Sequence, residues 1–348
     1  MDFSLLYFAN REVTDAPAEY DLLIDAARFA DRNGFTALWV PERHFHPFGG
    51  AYPNPALAAA AIAGQTTRIR LRAGSVVLPL HDPLTVVEDW SFVDNLSRGR
   101  VDLALATGWA ANDFVLAPKR FPDRRRYVLD NIEVIRELWA GRPVSRVNGA
   151  GEETPTRVYP SPVQSEIGLW LTAASSVETF AAAGARGLNV LTALLFQDLG
   201  ELASKIEAYR TARKDAGHDP TTGVVTLMVH TFVGESDDEV RETVREAFTA
   251  YLVSSIDLWK NQLERLQGPD GASLARYAFE RYFRTAAMFG SVDRCADFVE
   301  KLAATGVDEV ASLIDFGLPG PTVLAALPHL DQVRRRIQHT RAADAGPA

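Results

Sequence analysis

Short apolar runs and amphipathic stretches alternate along most of the chain. "FSLLYF" (3–8) precedes "AEYDLLIDAARFADRNG" (18–34), whose apolar residues recur at helical spacing and stop at Gly34. "TALWV" (36–40) leads into the alanine-rich "PALAAAAIAGQT" (55–66), and "IRLRAGSVVL" (69–78) into "PLTVVEDWSFVDNLSRG" (83–99), with Pro83 in its first turn. "VDLALATG" (101–108) is followed by "DRRRYVLDNIEVIRELWAG" (123–141). Residues 144–164 are turn-rich and are expected to hold a hairpin. The alternation then resumes with strands 169–174, 189–194 and 224–234 and helices 176–187, 199–217 and 236–252. Stretch 258–285 follows neither period. A helix (291–306), a strand (309–317) and a helix (321–337) close the pattern, and the tail 341–348 is expected to fray.

This reading gives eight strands, each followed by a helix. Strands that are apolar on both faces and alternate with helices form a parallel sheet covered by helices. Eight such units favour an α/β fold of the (β/α)8 TIM-barrel type, with insertions after strands four and seven. An open doubly wound sheet is the alternative, weakened because no G-x-G-x-x-G follows the first strand. No low-complexity linker interrupts the pattern, so residues 1–340 are expected to be one domain.

Composition narrows the function. The chain has 348 residues, of which 47% are hydrophobic, enough for one large core. A formal net charge of −9 argues against nucleic-acid binding, whereas an anionic small ligand remains compatible with local arginines and helix N-termini. The single cysteine, Cys295, excludes an internal disulfide and a multi-thiolate metal site; its helical context suggests a buried structural thiol. No apolar run reaches membrane-span length and no signal sequence is recognised at the start, so no membrane partner and a cytoplasmic location are expected.

Barrel sites lie at the C-terminal ends of the strands. After strand two, "PERHFHPFGG" places Glu42, Arg43, His44 and His46 within five positions. Glu42, His44 and His46 alternate and would share one face of an extended segment. The rest of the chain supplies no H-x-x-x-H and no clustered carboxylates, so no metal is expected. His44 is instead a candidate for acid/base work, the alternative being a ring bonded to backbone and packed by Phe45. Strand three offers Gly74 and Ser75, strand four "ATGWAANDF" with Ala106, Thr107 and Asn112, strand seven His230, and strand eight Asp315. In "AASSVET" (173–179), Ser175 and Ser176 sit at a strand-to-helix junction, which is either a phosphate cradle or a plain serine cap. "RRR" (124–126) opens a helix where cations oppose the dipole, so either an anion offsets the charge or the patch is solvated.

Taken in order, "GFTALWVPERHFHPFGGAYPNPALAAA", "VVLPLHDPLTVVEDWSFVDNLSRGR", "GWAANDF" and "AASSVETFAAAGARG" resemble the luciferase-like flavin monooxygenases, the superfamily of bacterial luciferase. The "PERHFHPFGGAYPNP" form is similar to luciferase-like domains associated with polyketide and nonribosomal peptide biosynthesis. The resemblance implies a barrel that takes reduced FMN from a separate reductase and activates O2 as a flavin C4a-(hydro)peroxide. The oxygen then passes to a small or carrier-protein-bound substrate of natural-product biosynthesis. By position it implies a phosphate turn at Ser175, Ser176 and Thr179, and a phosphate arginine at Arg124 or Arg125. It also implies a non-prolyl cis peptide at Gly74–Ser75, an acidic residue at Glu88, a lid over 258–285 and a homodimer; the alanines of helix 55–66 suit either its close-packed interface or tight packing of that helix on its own barrel.

The departures also matter. Arg43 stands where luciferase keeps its catalytic histidine, and His44 takes the second histidine's place. Ala106 and Thr107 replace a cysteine near the flavin and a phosphate arginine. Light emission is therefore not carried over, and Arg43 is expected to meet an oxygen anion or a substrate carboxylate. The expected catalytic set is Glu42, Arg43, His44 and His230; the expected flavin contacts include Gly74, Ser75, Ala106, Thr107 and Asn112. A deazaflavin-dependent oxidoreductase of the same fold and a non-catalytic flavin-binding partner subunit are the alternatives.

Overall fold

A computed structural model describes residues 1–8, 16–174, 176–195, 197–263 and 278–344. The strands are β1 (Asp2–Leu6), β2 (Ala37–Val40), β3 (Arg70–Val77), β4 (Val101–Ala106), β7 (Gly168–Thr172), β8 (Asn189–Ala193), β9 (Val225–Gly234) and β11 (Glu309–Leu313). All eight run parallel. β1 pairs with β2, pairing continues through β3, β4, β7, β8, β9 and β11, and β11 returns to β1. The barrel is closed, as the sequence pattern predicts. β2 and β11 are buried at every position, because the interior covers one face and helices cover the other.

The surrounding helices are α1 (Ala16–Asn33), α2 (Pro55–Ala63), α3 (Pro83–Ser97), α4 (Arg124–Trp139), α5 (Val177–Ala185), α6 (Leu199–Asp215), α7 (Asp237–Leu263), α8 (Val292–Ala304) and α9 (Gly320–Asp344). Local chemistry marks their starts. Asn54 accepts from the amides of Ala56 and Leu57 ahead of Pro55, Asp82 caps α3 ahead of Pro83, and Asp198 and Glu201 form a capping box on α6.

The two insertions lie where expected. The hairpin β5 (Val144–Val147) with β6 (Glu153–Thr156) is antiparallel and largely exposed. After β9 the pattern-based reading needs correction. Helix α7 runs to Leu263 rather than ending near 252, Tyr282–Ala286 form a helical turn, and β10 (Met288–Ser291) adds to the outer end of β9. Much of the expected lid, residues 264–277, lies outside the described residues. Likewise α9 runs to Asp344, into the segment expected to fray.

The lower half of the barrel holds a buried polar layer. Arg72 lies between the rings of Trp39 and Trp170, 4.8 and 4.5 Å from their centres. It donates to Asp102 at 2.8 Å and to Glu309 at 2.7 Å. Ser4 and Trp39 also donate to Glu309, so the charges are paired and hydrogen-bonded. Cys295 is buried, as expected, and burial pushes its thiol far above the usual range.

Candidate functional site

The loop after β2 does not stay extended. Phe45 takes a left-handed conformation (φ 52°), so the chain turns after His44 and the alternation of Glu42, His44 and His46 is broken. His46 turns aside and accepts the Phe48 amide at 3.0 Å. Its expected place is taken by His81, which follows β3. His44 donates from Nε2 to Glu42 Oε1 at 2.8 Å, His81 donates to the same oxygen at 2.6 Å, and the Val77 amide donates to Oε2 at 2.7 Å. Glu42 has no exposed side-chain surface, His44 12% and His81 28%.

Burial pushes the Glu42 carboxyl upward, but these donors outweigh it and hold the group below the usual carboxylate range. Burial likewise opposes charge on His81, yet the bond and attraction to Glu42 raise it above the ordinary imidazole value. The donor types are those of a metal site. Both ring N–H groups already point at one oxygen, however, an arrangement that is complete without an ion.

Arg43 is buried beside this triad and donates to Asp113 at 2.7 Å, with its guanidinium 4.8 Å from the centre of the Trp109 ring. Gly49, at φ 81°, lets the loop close over it, since a Cβ there would lie 2.9 Å from Arg43 Cγ. Desolvation holds Asp113 above the usual carboxylate range and Arg43 below its ordinary value. Asp113, not Asn112, faces inward. With three residues per turn in the tight helix Ala111–Leu116, neighbouring side chains diverge, and Asn112 is left exposed.

A cavity of about 570 Å³ opens beside this cluster, between the C-terminal ends of β4 and β7. Its wall includes Ala106, Thr107, Trp109, Arg125, Ser176 and Thr179, and Arg124 also borders it. The structure thus brings together most of the residues expected at the phosphate end. Ser175 lies outside the described residues. Ser176 caps α5, its hydroxyl accepting the Thr179 amide at 3.3 Å.

The two arginines differ. Arg124 is committed to the carbonyls of Gly108 (3.0 Å) and Phe121 (2.8 Å), whereas Arg125 is exposed at the cavity wall and forms no ion pair among the described residues. Glu178, unanticipated from the sequence, also borders the cavity and accepts from the Ser176 hydroxyl at 2.6 Å. Below, the Gly74–Ser75 peptide is cis, as the resemblance implies, and Ser75 shares a 2.5 Å hydrogen bond with Thr172, which lines the cavity.

His230 is buried on β9, with the rings of Phe248, Tyr251, Tyr282 and Phe316 4.9 to 6.3 Å away, and its Nε2 has no hydrogen-bond partner among the described residues. Desolvation lowers its pKa to about 3, which disfavours charge on the ring near pH 7. Glu88 is exposed on α3; Asp89 is the acidic residue of that helix that acts on His81. His81 itself was legible in principle, because it stands in the loop at the C-terminal end of a barrel strand.

A family model described as luciferase-like monooxygenase matches residues 1–309. The oxygenase component of a flavin-dependent trigonelline monooxygenase from Acinetobacter baylyi is 28% identical over 334 residues, covering 91% of this chain and 90% of that protein. A 4-hydroxyprotoasukamycin monooxygenase from Streptomyces nodosus subsp. asukaensis is 29% identical, covering 81% of this chain and 77% of its own. Among solved structures, the monooxygenase RslO1 from Streptomyces bottropensis superposes with a TM-score of 0.80 at 20% identity, covering 95% of this chain and 98% of that one.

Proposed function

This chain belongs to the luciferase-like monooxygenase family, and on that premise we propose that it is the oxygenase component of a two-component system that takes reduced FMN from a separate reductase. The observation that carries this reading is the cavity at the barrel mouth. One end gathers anion donors, Arg125 and the Ser176 hydroxyl at the start of α5, and the wall also includes Trp109, whose ring lies under the Arg43 guanidinium. The donor set fits a phosphate: the helix end supplies positive potential, and Thr107 adds a hydroxyl at the wall. Glu178 is the one discordant group, a carboxylate already on Ser176 that a phosphate would have to displace.

Bound reduced FMN supplies the electrons with which O2 is activated for insertion into an organic substrate. The chain's own residues prepare the surroundings. Arg125, Ser176 and Thr107 hold the phosphate, and Trp109 with the buried Arg43–Asp113 pair forms a wall that excludes water. Glu42 fixes His44 so that its Nδ1 is the acceptor for a proton from substrate or oxygen. Kinship with the trigonelline enzyme's oxygenase component supports the separate reductase, and kinship with a 4-hydroxyprotoasukamycin monooxygenase supports a substrate from natural-product biosynthesis, free or carrier-bound.

A homodimer through α2 completes the proposal: Ala56 and Ala59 pack inward while Leu57 is 69% exposed. Titration of the purified chain with FMN and a deazaflavin, oxidised and reduced, tests the cofactor. Tighter binding of the deazaflavin, or of neither, would reject FMN.

A further inference from the structure

Two histidines from different loops donate to a single atom, Oε1 of Glu42, while Oε2 is occupied by the Val77 amide. A neutral imidazole that donates from Nε2 carries its lone pair on Nδ1. One carboxylate bears one negative charge, so it balances one imidazolium and not two. The two rings also differ in their surroundings. His81 is the more exposed, it feels Glu42 and Asp89 in favour of its charge and Arg120 against it, and its carbonyl is held by Arg120 at 2.8 Å and Tyr127 at 3.0 Å. His44 faces Glu42 and the Asp113 carboxylate, and Asp113 is already paired with Arg43.

We propose that His81 is a positioning residue of this site: it shares Oε1 of Glu42 with His44, both rings being Nε2–H in the neutral form, and the two are not charged together. On acidification His81 takes up the charge of Glu42 first. His44 keeps its Nε2–H on the same oxygen, which leaves Nδ1 open as an acceptor. The proton His81 gains comes from solvent at Nδ1, and no bond to Glu42 is broken. Only the consequence for turnover rests on the functional reading above; the coupling itself does not.

The test uses the full chain without cofactor, 15N-labelled at histidine, followed by long-range 1H–15N correlation from about pH 5 to 9. In the wild type, both His44 and His81 should show the Nε2–H form at high pH. In His44→Gln, whose amide keeps a donor toward Glu42 but no charge, His81 should become charged within about half a pH unit of the wild type, because in both proteins its neighbour on Glu42 is neutral when His81 takes its proton. In Glu42→Gln it should become charged below the wild type. An Nδ1–H form of either ring in the wild type, a His81 transition raised by about half a pH unit or more in His44→Gln, or one not lowered in Glu42→Gln, would overturn the proposal. The wild-type measurement needs no variant and stands if a variant fails to fold. If reduced FMN fails to bind while the coupling is seen, the functional reading falls alone.

Discussion

At the scale of single residues, Glu42 is held as an anion by three donors rather than by water. Its folded carboxyl titrates below its ordinary 4.5, so its contribution to stability is present above that value and is lost as pH falls through the folded one. His81 is raised above its ordinary 6.5, so its contribution is full below 6.5 and fades as pH rises through the folded value. The stability difference between wild type and Glu42→Gln, measured by denaturant unfolding, should therefore be largest between 4.5 and 6.5. It should reach about 1.5–3 kcal/mol there, as for a hydrogen bond to a buried charge. His230 works in the opposite sense. Its pKa of about 3 means the unfolded chain gains a proton below 6.5 while the folded one does not, so stability falls as pH drops from 6.5 toward 3. His230→Phe, a ring of similar shape in an aromatic setting, should flatten that slope in a series of unfolding curves.

At the scale of elements, the proposed function assigns the anion to the N-terminus of α5 and the first turn of α4. Arg125→Ala should weaken FMN binding about tenfold, since it removes the exposed cation at the cavity wall. Arg126→Ala, already paired at 3.6 Å with Asp130 on the solvent side, should change it little. Glu178→Ala should tighten binding by roughly two- to fivefold, because a like charge leaves the Ser176 hydroxyl. These three comparisons by fluorescence titration separate a phosphate cradle from a plain helix cap.

The same elements show what was legible. The strands read clearly because burial on both faces leaves apolar runs, and two helix starts read from Pro83 and Ser176, whereas the caps Asn54 and Asp82 emerged only in the structure. The pairing of Glu42 with His81 did not read. It depends on a left-handed turn at Phe45 and on β3 lying beside β2, both set by tertiary packing. Asp113 was missed for Asn112 because a one-residue choice in a tight turn leaves no periodic trace. β10 was missed because four residues added to the edge of β9 are too few for an alternating pattern.

At the scale of the whole molecule, the barrel divides its polar chemistry between two ends. The lower layer of Arg72, Asp102 and Glu309 is fully paired, buried and distant in the fold from the cavity-lining loops. Arg72→Met should destabilise the chain by about 3–5 kcal/mol, because two carboxylates would remain buried with one cation fewer. Thermal unfolding with and without FMN should show that loss equally in both states. The upper end holds Arg125, exposed at the cavity wall, and the proposed function places the ligand there. The most direct measurement is an anaerobic titration of the chain with reduced FMN, followed by rapid mixing with O2. Binding should be saturable and depend on Arg125, and the bound flavin should reoxidise at a rate distinct from that of free reduced FMN. Reoxidation identical to free flavin, or binding unaffected by Arg125→Ala, would contradict the proposed function.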